Sequence, residues 1–304
     1  KKGKKKGVAK EHLKILKEKL ASVKAGSTPI QDPYHAESQK LIDHYENNEY
    51  GDAEQLAVSI IEKSPDHLWS WKILGSVFGE TGRVNESLVA NQNAARLDTE
   101  DPIIHYNVGT AMKQLGRFIE AEESFKRALA LDSTLVEAHI NLGVTLKDLG
   151  RVEEAEASYR QAMAIGTGYI EAHSNLLFLY AGFNYEASLY LKEARDYGFR
   201  IAQTVTSRFS SWSCEEEHQT FRVGFVSGDL SNHPVGYFLE GLLNELSRSK
   251  LELFAYPTKL LEDELTLRIK PHFTAWQPLV SISDKEAANL IHSDGIHILI
   301  DLSG

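Results

Sequence analysis

The chain has 304 residues, 42% of them hydrophobic and 25% charged, with a net charge of −10, values typical of a globular protein with room for two domains. No apolar run reaches the ~18 residues that a membrane span needs, and the start lacks the charged, apolar and small-residue order of a signal peptide. The single cysteine, Cys214, excludes an internal disulfide and predicts a reducing, cytoplasmic location.

The first part of the chain differs in charge from the rest. Residues 1–24 contain ten lysines against Glu11 and Glu18, although the whole chain is acidic. A KKGKKK start would suit contact with nucleic acid or an anionic surface. We favour a solvated tail that leads into the helix AKEHLKILKEKLASVK, and assign both to residues 1–33. The acidic body gives no sign of nucleic-acid binding, so we expect no nucleic-acid partner.

A repeat of 34 residues dominates the next part of the sequence. The spacing links Gly75, Gly109 and Gly143, and again Gly82, Gly116 and Gly150. In each unit a glycine separates two segments whose apolar residues recur at helical spacing, which predicts a pair of helices. The pattern resembles the tetratricopeptide repeat. We therefore predict about four such repeats over residues 34–178, stacked as an α-solenoid with a concave face that binds an extended peptide.

One polar row follows the same period. Asn107, Asn141 and Asn175 each lie on the first helix of a repeat, two residues before the glycine position. A side-chain amide carries a donor and an acceptor, so a row of amides matches the backbone of a bound polypeptide. The alternative is that these residues are simply solvated positions on the groove wall. The histidines at the repeat's aromatic position, His105, His139 and His173, are instead predicted to pack.

The repeat register fails after about residue 178. We assign residues 179–220 to a helical connector and a polar linker, after which the pattern becomes that of an α/β domain. The segments FRVGFVS, LELFAYP and IHILIDLSG read as strands alternating with helices, which predicts a parallel sheet with ligands beyond its carboxyl ends. Two polar clusters, SGDLSNHP and DLSG, follow such strands. The sequence has neither GxGxxG nor a Walker loop, which disfavours dinucleotide and P-loop sites.

The combination resembles a known family. Tetratricopeptide repeats joined to RVGFVSGDLSNHPVGYFLEG and DGIHILIDLSG are similar to the bacterial branch of the protein O-GlcNAc transferases, glycosyltransferase family 41. The resemblance implies inverting, metal-independent transfer of N-acetylglucosamine from UDP-GlcNAc to Ser or Thr hydroxyls, with no cofactor. It also implies that the repeat groove guides the acceptor polypeptide. Because animal members hold the acceptor backbone with an asparagine ladder, the resemblance favours that role for Asn107, Asn141 and Asn175.

The resemblance also assigns roles near the sheet. His233 matches the histidine of the family's NHP motif, a candidate general base, and Pro234 after it suits the first position of a helix. A histidine at the positive end of a helix is expected to stay neutral, beside free N–H groups that suit a diphosphate. His297 matches a second active-site histidine, with packing inside a strand as the alternative. Asn232 and Gly304 are expected to line the donor site.

The chain also departs from the family. It reads VGYF after NHP, where animal members carry a further histidine, so contacts with the acceptor are expected to differ. The family continues beyond DLSG into a second lobe that binds the nucleotide. We therefore predict that residues 221–304 form the first part of an incomplete Rossmann-like lobe, which by itself would not bind the donor properly. The alternatives are a SPINDLY-like O-fucosyltransferase that uses GDP-fucose, and a non-catalytic repeat scaffold.

Overall fold

A computed structural model describes residues 34–166, 169–183, 185–205, 209–211, 220–246 and 249–302. The chain divides after Val205 into two compact units, which we call the repeat array and the sheet unit. The predicted basic tail and helix, residues 1–33, and the candidate donor-site residue Gly304 lie outside the described residues. No helix in the described ranges is long and apolar enough to cross a membrane.

The repeat array is built from helix pairs. In the described residues they are α1 His35–Glu46 and α2 Tyr50–Lys63, α3 Leu68–Glu80 and α4 Val84–Leu97, α5 Pro102–Gln114 and α6 Phe118–Leu131, α7 Val136–Asp148 and α8 Val152–Ile165, and α9 Tyr169–Gly182 and α10 Ala187–Thr204. The first four pairs, repeats 1 to 4, confirm the predicted tetratricopeptide solenoid. The fifth pair begins in register, but its second helix lengthens to 18 residues.

Two glycines of repeat 4 explain why this residue type recurs at 34-residue steps. A Cβ atom at Gly143 would lie 2.5 Å from Cε1 of Tyr159, so only glycine lets α7 and α8 approach this closely. Gly150 lies in the turn between the same helices with a φ of +76°, which glycine adopts without strain. The 34-residue period therefore reflects two constraints in each repeat, the close crossing of its two helices and the turn between them.

Arginines at the 34-residue step connect neighbouring repeats unevenly. Two of them reach a glutamate 29 residues earlier, in the second helix of the preceding repeat. These pairs are Arg83 with Glu54 at 2.7 Å and Arg151 with Glu122 at 2.6 Å. Arg117 has the buried Leu88 at that position instead of an acid. The boundary between repeats 2 and 3 thus lacks the ion pair that its two neighbours contain.

The sheet unit contains four parallel strands in the order β3, β2, β1, β4 within the described residues. Its elements are β1 Phe221–Ser227, α11 Pro234–Leu246, β2 Leu251–Pro257, α12 Glu264–Ile269, a 3-10 turn Lys270–His272, β3 Ala275–Trp276, α13 Asp284–Ser293 and β4 Ile298–Asp301. The parallel sheet was predicted, and β1 and β2 coincide with FRVGFVS and LELFAYP. The two-residue strand β3 was not predicted.

The register brings the two polar clusters of the sequence together. Val226 near the end of β1 pairs with Asp301 at the end of β4, and the Leu302 N–H donates to the Val226 carbonyl at 2.9 Å. SGDLSNHP and the start of DLSG therefore leave the sheet side by side at its carboxyl edge. This is the edge where parallel sheets place their ligands.

Candidate functional site

His233 caps the helix that follows β1. Its Nδ1 accepts a hydrogen bond from the backbone N–H of Val235 at 3.3 Å, and its carbonyl accepts the N–H of Tyr237 at 3.1 Å. Because Nδ1 is an acceptor, the neutral ring carries its proton on Nε2. The side chain remains 45% exposed. His233 therefore presents a hydrogen-bond donor, Nε2–H, at the positive end of α11.

The loop before His233 is anchored to the start of α12. Asp263 caps α12, with Oδ1 accepting the Thr266 N–H at 3.0 Å, while its Oδ2 accepts the Asn232 N–H at 2.6 Å. The buried Thr266 hydroxyl donates to the Leu230 carbonyl at 2.9 Å. The bonds from Asn232 and Thr266 stabilise the carboxylate and hold the pKa of Asp263 below its usual value. Two residues at the start of α12 thus hold the backbone of the loop that precedes His233.

A lysine follows β2 at the same edge. The Lys259 ammonium donates to Asp229 Oδ1 at 2.8 Å and, with burial opposing it, keeps the pKa of Asp229 below its usual value. Asp229 Oδ2 lies 3.9 Å from Nδ1 of His233. Lys259, Asp229 and His233 therefore form one polar cluster at the carboxyl ends of β1 and β2. The lysine remains exposed, so its charge is available to an anionic ligand.

The NHP asparagine is oriented by a tyrosine of the VGYF segment that follows it. The Tyr237 hydroxyl donates to Asn232 Oδ1 at 3.0 Å. The acceptor atom of the amide is therefore occupied, and its Nδ2 has no hydrogen-bond partner among the described residues. Asn232 consequently adds a second outward donor beside that of His233. Sequence reasoning proposed Asn232 but missed Tyr237, Lys259 and Asp263.

The structure does not bring His297 to this cluster. His297 precedes β4, and its backbone N–H donates to the Arg222 carbonyl at 3.0 Å while its Nδ1 accepts the Arg222 N–H at 3.1 Å. Its ring meets Phe221 edge to face. Since Phe221 opens β1 and Ser227 closes it, His297 lies at the amino edge of the sheet and His233 beyond the carboxyl edge. These contacts match the alternative interpretation of His297, in which the residue packs within the sheet unit.

The three asparagines of the repeat array differ in their surroundings. All are partly buried on the first helices α5, α7 and α9. Asn141 is engaged within the protein, because its Nδ2 donates to the Tyr106 hydroxyl at 3.2 Å and its Oδ1 accepts from the Lys113 ammonium. The side chains of Asn107 and Asn175 have no hydrogen-bond partner in the described ranges. Two of the three amides are therefore open to a ligand.

The histidines at the aromatic position of the repeats have packing and capping partners. His173 is completely buried, with Tyr169 and Tyr197 edge-on to its ring. His105 and His139 each place Nε2 within 3.0 Å of a backbone carbonyl six residues earlier. His173 also places its Nε2 3.1 Å from Oε2 of Glu193, so the three histidines contact neighbouring groups of the repeat array, as the packing prediction expects.

Comparison with known proteins finds matches in both parts of the chain. Residues 100–167 match the tetratricopeptide repeat model, and residues 200–304 match the model of glycosyl transferase family 41. Residues 200–304 are therefore similar to part of a family 41 glycosyltransferase. The family 41 segment includes the whole His233 cluster and the partners of His297. Assignment to the bacterial branch stays a prediction.

Individual relatives match in part. A probable UDP-N-acetylglucosamine–peptide N-acetylglucosaminyltransferase SPINDLY of Arabidopsis thaliana is 26% identical over 115 residues, 36% of this chain and 12% of the relative. The Caenorhabditis elegans UDP-N-acetylglucosamine–peptide N-acetylglucosaminyltransferase is 33% identical over 91 residues, 28% of this chain and 8% of the relative.

A solved structure covers more of the chain. A mutant O-GlcNAc transferase of Thermobaculum terrenum superposes with a TM-score of 0.63 at 27% identity, over 77% of this chain and 45% of that one. The chain thus spans less than half the length of each of these three proteins. The similarity extends the family 41 relationship from sequence to fold.

Proposed function

We propose that this chain forms part of a protein O-GlcNAc transferase. The reaction would transfer N-acetylglucosamine from UDP-GlcNAc to Ser or Thr hydroxyls with inversion, and the repeat groove would guide the acceptor polypeptide. The family 41 match and the names of the relatives support this proposal. A cytoplasmic location follows from the reducing environment that the single cysteine suggests.

The observation that carries the proposal is the group of hydrogen-bond donors around His233. Inverting transfer develops negative charge on the leaving diphosphate, and donors fixed in advance stabilise such charge. Nε2 of His233, Nδ2 of Asn232 and the start of α11 offer such donors at one sheet edge, with the Lys259 charge nearby. With its proton on Nε2, His233 acts as a donor to a phosphate oxygen. It would not act as a general base through that atom.

These groups suffice for the proposed charge stabilisation, so we propose a reaction that needs no metal. The cluster of metal-ligand side chains found in the described residues comprises His44, Glu49 and Asp52. It lies in repeat 1 and not in the sheet unit. The proposed chemistry uses the protein's own N–H groups and the Lys259 ammonium.

A second candidate is transfer of fucose from GDP-fucose. This alternative rests on the SPINDLY-like resemblance of the sequence, since the matched SPINDLY relatives are themselves named as probable UDP-N-acetylglucosamine–peptide N-acetylglucosaminyltransferases. Calorimetric titration of the full-length protein with UDP-GlcNAc and with GDP-fucose separates the two. Binding of UDP-GlcNAc and the addition of an N-acetylhexosamine to acceptor peptides, read by mass spectrometry, support the first. Binding of neither donor leaves a non-catalytic scaffold.

The role of His233 can be tested with a variant that keeps the helix cap but loses the Nε2–H hydrogen-bond donor. His233→Asn keeps an acceptor for the Val235 N–H, because asparagine is a strong helix cap, but removes Nε2–H. We expect unchanged unfolding and a transfer rate about 10²-fold lower, the usual effect of deleting one such donor. His233→Ala should lose both stability and transfer. Normal transfer by a stably folded His233→Asn protein would show that His233 is only a cap.

A further inference from the structure

The first helices of repeats 3 and 4 and of the fifth pair carry three parallel rows of polar side chains. Successive first helices contact one another, so their shared face, here called the groove, lines the inner side of the array. The rows are glutamates in the first turn, asparagines in the middle and lysines in the last turn. Their members are Glu137 and Glu171; Asn107, Asn141 and Asn175; and Lys113 and Lys147.

Contacts between the helices place the lysine row along the groove. The Lys113 ammonium reaches Asn141 on the next first helix, and that of Lys147 lies 5.7 Å from the ring centre of Phe178 on the one after. On the other side, Glu137 and Glu171 lie four residues before Asn141 and Asn175, one turn away on the same face of each helix. Consistent with this placement, burial and the negative charges of these two glutamates raise the pKa of Tyr106 to about 12. The groove therefore has an acidic wall and a basic wall, with amides between them.

The amide row fixes how an extended polypeptide would face these walls. In an extended chain the C=O and N–H groups lie in one plane, and successive side chains point to opposite sides of that plane. If the backbone bonds to the asparagines on the floor, its side chains point alternately to the glutamate wall and the lysine wall. Charges of alternating sign along the sequence would then meet complementary charges on both sides.

Asn141, the middle amide of the row, couples binding of the segment's backbone to the charge of its side chains. Asn141 Oδ1 already accepts from Lys113, so a backbone N–H must share this oxygen with the ammonium or displace it. A carboxylate on the bound segment offers Lys113 a better partner, since ionised acceptors make the stronger hydrogen bonds. Asp148, 2.8 Å from Lys147, already holds the other lysine in place. An acidic side chain facing Lys113 would thus release Oδ1 of Asn141 for a backbone N–H of the bound segment.

We propose that the groove binds an extended polypeptide segment in which basic and acidic residues alternate, the basic ones facing Glu137 and Glu171 and the acidic ones facing Lys113 and Lys147. This inference rests on the proposed function, because it names the sequence class that the acceptor-guiding groove selects. The same glutamates and lysines also suit the dipoles of their own helices, so the test needs a readout that helix stability does not move.

Fluorescence anisotropy of labelled peptides of about twelve residues, about 40 Å long when extended, provides that readout. The peptides alternate Lys with Glu, Lys with Gln, or Gln with Glu, and a fourth contains one block of Lys and one of Glu. We expect the Lys–Glu alternating peptide to bind about tenfold more tightly than the block peptide, the sum of several exposed ion pairs. High salt should remove the difference.

Neutral variants test the lysine wall. Lys113→Gln with Lys147→Gln should weaken the Lys–Glu and Gln–Glu peptides about tenfold and leave the Lys–Gln peptide unchanged. Lys63→Gln with Arg96→Gln is the matched control, since both residues lie in the last turn of a second helix. The control should leave all four affinities unchanged.

Equal binding of the alternating and block peptides would overturn the inference. So would equal weakening of every peptide by the lysine variants, or absence of binding. These measurements use no sugar donor, so they are independent of the proposed transfer. Charge-ordered binding without transfer would refute only the proposed function, and transfer that ignores charge order would refute only the inference.

Discussion

Gly236 lies directly beneath the carbonyl oxygen of Ser231. A Cβ atom on Gly236 would be 2.2 Å from that oxygen and 2.8 Å from Cδ2 of Leu265. The turn that carries His233 is therefore folded back onto the first turn of α11, at a place where no side chain fits. The distance explains why the sequence has glycine inside a helix, where this residue normally costs stability.

Gly236→Ala should displace the NHP turn. Because the clash is with backbone, we expect a loss of about 1–3 kcal/mol in the free energy of unfolding of the sheet unit, and a larger loss of transfer. Gly241→Ala is the matched control, since its Cβ meets nothing within 4 Å in the same helix, and it should stabilise by up to about 1 kcal/mol. Urea denaturation checks both, and equal behaviour of the two variants would contradict the prediction.

The Asp263 clamp predicts a dependence of stability on pH. Its native pKa is lowered by the Asn232 and Thr266 N–H groups, so the native state favours the ionised form more than the unfolded state does. The stabilisation is complete above the ordinary carboxyl value near 4 and is lost as the pH falls through the lower native value. Asp263→Asn should flatten the acid limb of unfolding free energy against pH. The exposed Asp284→Asn serves as control, and an unchanged acid limb in Asp263→Asn would refute the clamp.

His297→Ala tests the position of the second histidine. The substitution removes the acceptor of the Arg222 N–H and the edge contact with Phe221. We expect a loss of about 1 kcal/mol or more in unfolding free energy, with transfer by the folded full-length protein unchanged. Thermal unfolding and an acceptor-labelling assay report the two quantities. Lost transfer with intact stability would instead show that His297 reaches the substrate.

A buried ion pair stabilises the boundary between repeats 2 and 3. The Lys72 ammonium lies 2.8 Å from Asp101 Oδ2, and the two side chains are 9% and 3% exposed. Asp101→Ala strands the buried ammonium and should cost about 3–5 kcal/mol. The neighbouring Glu100 pairs with Arg127 at the surface, so Glu100→Ala should cost at most about 1 kcal/mol. Similar losses in chemical denaturation would disprove this contrast.

The elements of this fold that sequence predicts are those with a local cause. The 34-residue period reflects contacts inside each helix pair, such as Gly143 against Tyr159, so it predicted the repeats. Apolar runs predicted β1 and β2, whereas β3 has only two residues and leaves no periodic signal. The carboxyl-edge clusters followed from the rule for parallel sheets.

The site depends on contacts that no local pattern contains. Asp263 binds Asn232 from 31 residues away, and its only sequence signal is an aspartate before the helical segment ELTL. His297 was assigned to the site by resemblance, but β4 begins one residue after it, which fixes it at the opposite edge. A shift of a few residues in a strand's start decides which edge a side chain occupies.

Because the arginine contacts are uneven, the boundaries between repeats differ in their chemistry. Two of the boundaries carry the pairs Arg83–Glu54 and Arg151–Glu122, whose arginines are more than a third exposed and therefore screened by salt. The boundary at Leu88 depends instead on apolar burial and on the buried Lys72–Asp101 pair, which salt screens much less. Rising ionic strength should therefore loosen repeats 1 and 4 from the middle of the array while repeats 2 and 3 remain together as a core. The protection of backbone amides from hydrogen exchange at high salt would then depend on the contacts at each repeat boundary and not on the distance from the ends of the array.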